Sequence, residues 1–139
     1  MPVRFSGTDT TWTCRNKRKT QQWLLHVIEA HGKQLGELEV VFCSDNYLLE
    51  LNRSSLNHNY FTDIITFDYC AGDLVSGDLF VSVDRVRENA QSEQVSIQNE
   101  LKRVLVHGVL HLCGWNDATP EEKAAMRHQE DRWITVFPL

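Results

Sequence analysis

Two histidines four residues apart, closed by a glycine, set the tightest limits on this chain: His107-Gly108-Val109-Leu110-His111-Leu112-Cys113-Gly114-Trp115-Asn116-Asp117. Residues i and i+4 of an α-helix differ by roughly 40° of rotation and one turn of rise, so both imidazoles leave one face and can converge on one ion. Gly114 can take the left-handed conformation that ends a helix and turns the chain back. Asp117, just past that turn, can offer a carboxylate as third ligand, and His128 is its rival for that place. Two His and one carboxylate, with a fourth position left for water, is a common way of holding catalytic zinc. The preceding residues Leu101, Val104, Leu105 and Val106 make this helix too apolar to be solvated. Histidines continuing it need partners, either a metal or backbone carbonyls, because an unsatisfied buried imidazole is costly.

What the segment lacks is equally informative. In zinc peptidases of the His-Glu-x-x-His type, the residue after the first His is the general base. Here that residue is Gly108, so the helix carries ligands without a base. Cys113, about 200° around the helix from His111, is expected to point away from the ion.

The 139 residues suffice for one domain, 1–139, and are too few for two ordinary ones. A hydrophobic content of 42% and a charged content of 24% are those of a soluble globular protein. No apolar run approaches a membrane span, and the first residues lack the apolar core of a signal peptide. Cysteines 14, 43, 70 and 113 are scattered, with no Cys-x-x-Cys pair, and are read as reduced thiols in a cytoplasmic protein. The net charge of −5 argues against a protein that coats nucleic acid non-specifically. It is unevenly spread: residues 1–33 hold six Lys/Arg against Asp9 and Glu29, a balance of +4, and the remainder is −9. The basic run Arg15-Asn16-Lys17-Arg18-Lys19 is compatible with RNA contact or with a solvated helix start.

Along the chain, a short strand is expected around Val3–Phe5, then a helix from about Lys17 to His31, with Trp23, Leu24, Val27 and Ile28 at helical spacing and Gly32 closing it. His26 and His31 are assigned no role. Leu38–Cys43 reads as a strand, and Ser44 as the cap of a helix carrying Tyr47, Leu48 and Leu51. Asn52–Phe61 reads as a polar loop and Thr62–Phe67 as a strand. Asp68–Gly77 is expected to be a long hairpin loop returning as the strand Gly77–Val83, antiparallel to its predecessor. A short helix is expected over Asp84–Ala90, and a second from near Glu93 through Ile97 and Leu101 into the histidines. Thr119-Pro120-Glu121-Glu122 is a capping box with proline at the first helical position, opening a last helix with Ala125, Met126 and Trp133. The order β-α-β-α-β-β-α-α-α predicts a single α+β domain: a small mixed sheet with an antiparallel hairpin, packed against helices, the metal-binding helix near the C-terminus.

Three ordered stretches of this chain resemble the YbeY family of metal-dependent endoribonucleases of rRNA maturation: Thr62-Asp63-Ile64-Ile65-Thr66-Phe67, Gly77-Asp78-Leu79-Phe80-Val81-Ser82, and His107-Gly108-Val109-Leu110-His111-Leu112-Cys113-Gly114-Trp115. The family usually continues with Asp and a third His, where this chain has Asn116 and Asp117. The resemblance therefore implies His107, His111 and Asp117 as ligands of one divalent metal, zinc in the first place, with iron or nickel as alternatives. It also places the family's arginine, a residue expected to contact phosphate, on Leu56, and an expected Asp on Asn59. Leucine cannot bind phosphate, so Arg53, one helical turn earlier, is the first substitute and His58 the second, unless both are ordinary loop surface.

The activity so implied is single-strand-specific, metal-dependent endoribonucleolytic cleavage in rRNA processing, at the 3′ end of 16S rRNA, and in ribosome quality control. The attacking group would be water held in the ion's fourth position, and the residues leave the general base unassigned. The expected partners are rRNA and the ribosomal small subunit, with no DNA and no membrane, for a monomer in the cytoplasm. Two other classes compete: a metal-dependent hydrolase of another bond, peptidase-like, and a ribosome-associated binding protein with a structural metal. The absent glutamate weighs against the first, and an open fourth ligand position against the second.

Overall fold

Alternation along β4 (Leu74–Ser82) shows how the fold divides. Val75, Leu79 and Val81 are buried on one face, in a large cluster with Trp23, Leu24, Val27 and Ile28 of α1 (Lys17–Ala30) and Leu101, Leu105 and Val109 of a later helix. Phe80, on the other face, packs with Leu48, Ile65 and Phe67. Side chains of a strand alternate between faces, so this strand is covered on both sides, and the sheet lies between two layers of helix.

The computed structural model describes residues 3–138. The remaining elements are β1 (Val3–Gly7), β2 (Gln34–Cys43), α2 (Asp45–Leu56), β3 (Ile64–Asp68), α3 (Val83–Glu93), α4 (Ile97–Leu112) and α5 (Pro120–Thr135). The strands form one sheet in the order β1-β2-β4-β3, with β1–β2 and β2–β4 parallel and β3–β4 antiparallel. Parallel neighbours need a crossover, supplied by α1 between β1 and β2 and by α2 with β3 between β2 and β4. The single mixed-sheet α+β domain expected from the sequence is the one observed.

Three boundaries move for tertiary reasons. β2 starts at Gln34 because Gln34 and Leu35 pair with Leu74 and Val75, across an irregularity before Leu38. The same pairing begins β4 at Leu74, which shortens the expected hairpin loop to 69–73. The third change bears on function. α2 continues through Leu56 and ends on Asn57 in the left-handed region (φ 57°), so half of the expected 52–61 loop is helix.

Four helix starts follow side-chain chemistry. Ser44, Ser82, Ser96 and Thr119 each accept a hydrogen bond from the third backbone N–H of their helix, and Thr119 and Glu122 complete the reciprocal capping box. Ser96 sets the start of α4 at Ile97, later than the Glu93 expected from periodicity alone.

α4 is the most enclosed helix. Leu101, Val104, Leu105, Val106, Val109 and Leu110 are all buried, and α1, α3, α5, β3 and β4 pack around it. A fully buried Val or Leu side chain is worth roughly 1.5–3 kcal/mol, so packing fixes the helix and whatever it carries. Two glycines permit its approach to the sheet. A Cβ on Gly77 would lie 2.5 Å from the Phe67 carbonyl oxygen and 3.2 Å from Leu112 Cδ1. One on Gly108 would lie 2.9 Å from Ile64 Cδ1 and 3.0 Å from Leu79 Cδ2.

Gly108 therefore answers the question of the missing glutamate: its Cβ direction runs into the sheet. Gly108→Ala should be destabilising by about 1–2 kcal/mol, overpacking against Ile64 and Leu79 outweighing the ~1 kcal/mol gain in helix propensity. Gly108→Glu, which would bury a carboxylate among apolar groups, should prevent folding or cost several kcal/mol. Urea denaturation of the two variants checks both.

Candidate metal centre

The C-terminal half of α4 delivers His107 and His111 to the wall of a groove of about 1020 Å³. The helix ends at Cys113, and Gly114, at φ 107°, turns the chain so that Asp117 returns to the same wall. Asp117 Oδ2 lies 3.3 Å from His107 Nε2 and 3.3 Å from His111 Nε2, and the three donor groups lie within 4.8 Å of one another. A tetrahedral shell with bonds of ~2.0–2.1 Å places its ligands about 3.3–3.4 Å apart. The donor set and its spacing thus fit one divalent ion, with three protein ligands and room for a fourth from solvent.

The orientation of His107 is set from behind. Its Nδ1 lies 2.6 Å from Glu130 Oε2, so Nδ1 carries the hydrogen and the Nε2 lone pair faces Asp117 and His111. Glu130, on α5 and 5% exposed, also accepts from Arg103 (3.0 Å), whose second nitrogen donates to Asp131 (2.6 Å). Burial works against a charged imidazole, yet the hydrogen bond and charge of Glu130, helped by Asp117 and Asp63, outweigh it and raise the His107 pKa above its ordinary value. Asp63 and Glu100 also line the groove, and burial pushes both carboxyl groups above the usual range.

The turn holding Asp117 has its own anchor. Trp115 Nε1 donates to His31 Nε2 at 2.9 Å, which leaves His31 Nδ1–H to donate to the Val27 carbonyl at 2.7 Å. His31, given no role from the sequence, ties the residues just before Asp117 to α1. Glu130 is likewise not marked by the sequence. It lies 23 positions after His107, a separation with no periodic relation, and only the packing of α5 on α4 joins the two.

Other expectations find definite places. His128 is exposed on α5 and lies outside the three-residue group. Cys113 faces a separate surface hollow with Trp115 and Glu121, and all four cysteines are free. Arg53 is not on the groove wall: its guanidinium donates to Glu50 Oε1 and Asn59 Oδ1, both at 2.6 Å. The extension of α2 is the reason. Asn52 and Leu56 share one helix face and line the groove, and Arg53, about 100° around, does not. His58 does reach the wall. The cations that line it are Arg103 on α4 with Lys123 and Arg127 on α5. Nothing in the local sequence of α5 marks them, since one exposed basic residue reads like another until the helix is docked.

An α+β domain presenting two histidines and a carboxylate to an open groove has the build of a metal-dependent hydrolase. The comparisons narrow this class. The family model for endoribonuclease YbeY matches residues 7–137. The endoribonuclease YbeY of Bacteroides thetaiotaomicron is 51% identical over 120 residues, 86% of this chain and 88% of that protein. That of Parabacteroides distasonis is 42% identical over 138 residues, covering 99% and 97%. The chain belongs to the YbeY endoribonuclease family. Its fold also matches the solution structure of TM1509 from Thermotoga maritima, with a TM-score of 0.66 at 22% identity over 95% of this chain and 86% of that one. Among the described residues, no helix is long and apolar enough to cross a membrane.

Proposed function

We propose that residues 1–139 act as one metal-dependent endoribonuclease domain that cuts single-stranded RNA during rRNA maturation, at the 3′ end of 16S rRNA and in ribosome quality control. The proposal includes a cytoplasmic setting, the ribosomal small subunit as partner, and a monomer. The observation that carries it is the convergence of His107, His111 and Asp117 on the wall of a groove that also holds Lys123 and Arg127.

His107 Nε2, His111 Nε2 and an Asp117 carboxylate oxygen are the ligands assigned to the ion, zinc in the first place, with iron or nickel compatible with two His and a carboxylate. When bound, such an ion polarises a phosphoryl oxygen and makes water a better nucleophile near neutral pH. Glu130 retains the proton on His107 Nδ1 and so keeps Nε2 available. Asp117 contributes an anion where the family usually has a neutral imidazole, which lowers the net charge of the site by one. Lys123 and Arg127, four residues apart on one face of α5, offer positive charge to RNA phosphates lying in the groove.

A peptidase mechanism is not favoured, because the base position, Gly108, is closed by Ile64 and Leu79. A structural metal is not favoured either, because such sites are usually closed by four protein ligands. Cleavage of a defined rRNA precursor, compared with a casein-type substrate with and without chelator, tests the assignment. RNA cleavage abolished by chelator and restored by zinc is expected, and proteolysis in its place would overturn it. Lys123→Ala and Arg127→Ala should each weaken RNA binding. Each should also flatten the plot of log K against log[salt] by roughly 0.7 for every phosphate no longer neutralised, as for single strands. Arg53→Ala should leave both unchanged.

A further inference from the structure

The segment after α2 places two aromatic rings at the groove in an arrangement the metal centre does not need. His58 and Tyr60 stack with centroids 5.2 Å apart and planes 21° from parallel, and Tyr60 Oη and His58 Nδ1 are hydrogen-bonded across 3.0 Å. Both residues line the groove that holds His107 and Asp117, yet Tyr60 is 55% exposed. The backbone beneath is fixed. Asn52, 1% exposed, donates its side-chain amide to the Tyr60 carbonyl at 3.0 Å, and the His58 N–H donates to the Asn52 carbonyl at 3.0 Å. An exposed, immobilised pair of rings leaves a π-face uncovered at low entropic cost, which a buried core aromatic never does.

We propose that the His58–Tyr60 pair is a platform on which one unpaired base of the RNA substrate stacks. It gives the groove a base-holding subsite beside the ion and supports its preference for single strands. The chemistry fits one occupant. Unstacked bases are held on Tyr and His faces, whereas a duplex keeps its bases stacked on one another and offers no face to take. The phosphates of the same strand find their counterpart in Lys123 and Arg127 of the same groove. The platform also accounts for His58 beside Leu56: this part of the groove presents rings and an apolar side chain, a surface for bases rather than for phosphate. This inference rests on the endoribonuclease reading, and it adds the specificity-determining residues.

The test uses the full chain, with fluorescein-labelled single-stranded oligoribonucleotides read by anisotropy in chelator, where no cleavage occurs, and by cleavage with zinc added. Tyr60→Ala should weaken binding roughly 5- to 150-fold, the range for losing one base–aromatic stack. Tyr60→Phe, which keeps the ring and loses the hydroxyl, should stay within about threefold of the wild type. Zinc content should be unchanged in both. An oligonucleotide abasic at the stacked position should bind the wild type as weakly as the intact one binds Tyr60→Ala, and the two changes together should cost no more than either alone. Equal binding of intact RNA by Tyr60→Ala and wild type, in a wild type that cleaves RNA, overturns the platform and leaves the endoribonuclease reading intact. A wild type that neither binds nor cleaves single-stranded RNA overturns both. Additive effects of the abasic site and Tyr60→Ala also overturn the platform, since they place the base elsewhere.

Discussion

His107→Ala, His111→Ala and Asp117→Ala should each strip the protein of its ion and of its RNA cleavage together, and His128→Ala should do neither. The three donors stand 3.3 Å apart along two edges, so removing one leaves two ligands for an ion that commonly takes three protein ligands in catalytic sites. Outer partners of metal ligands typically carry 10- to 100-fold in affinity, and removal of a direct ligand should exceed that. Metal analysis after dialysis against a weak chelator, with cleavage assayed on the same samples, reads both effects. Asp117→His separates charge from coordination: a neutral imidazole in the same place should retain the ion and the activity. Full metal content in Asp117→Ala, or a metal-free His128→Ala, would reassign the third ligand to α5.

Glu130 should matter almost as much, for two separable reasons. Glu130→Gln keeps the shape but loses the anion that orients His107, and should lower metal affinity by roughly 10- to 100-fold. Glu130→Ala should in addition cost about 3–5 kcal/mol of stability, because Arg103, its side chain 15% exposed, is left with only the outlying carboxylate of Asp131. The pH dependence distinguishes the roles. His107 has its pKa raised above 6.5 in the folded, metal-free protein. A raised pKa means that the His107–Glu130 interaction stabilises the fold fully below the unfolded value, and the contribution is lost as pH rises through the folded one. Metal-free wild type should therefore lose stability with rising pH across that window, and Glu130→Gln should be flatter. Bound metal displaces the proton, so metal affinity should fall as pH drops through the same window. Urea midpoints with and without zinc across this range measure all three.

Relations between neighbouring residues on one element were legible in the chain alone. The spacing of His107 and His111, the glycine that ends their helix, the Thr119–Glu122 box and the strands either side of the hairpin each follow from backbone geometry acting over a turn or a pleat. Asp117 was within reach of the same reasoning, because only a tight turn separates it from His111.

The tertiary structure decided what depends on which surfaces meet. α2 runs past Asn52, whose side chain packs inward, and the added turn sets Leu56 on the groove and Arg53 against Glu50 and Asn59. Glu130 of α5 backs His107 of α4, His31 at the end of α1 holds Trp115, and the docking of α5 turns Lys123 and Arg127 toward the groove. The sequence by itself determined the element order, the α+β class and the local spacing of the proposed ligands His107, His111 and Asp117, because hydrophobic period, caps and turns act locally. The orientation of those ligands, the charge that faces the substrate and the reason residue 108 must be glycine were decided by docking α4 and α5 against the sheet, an outcome set by packing between surfaces that no single segment contains.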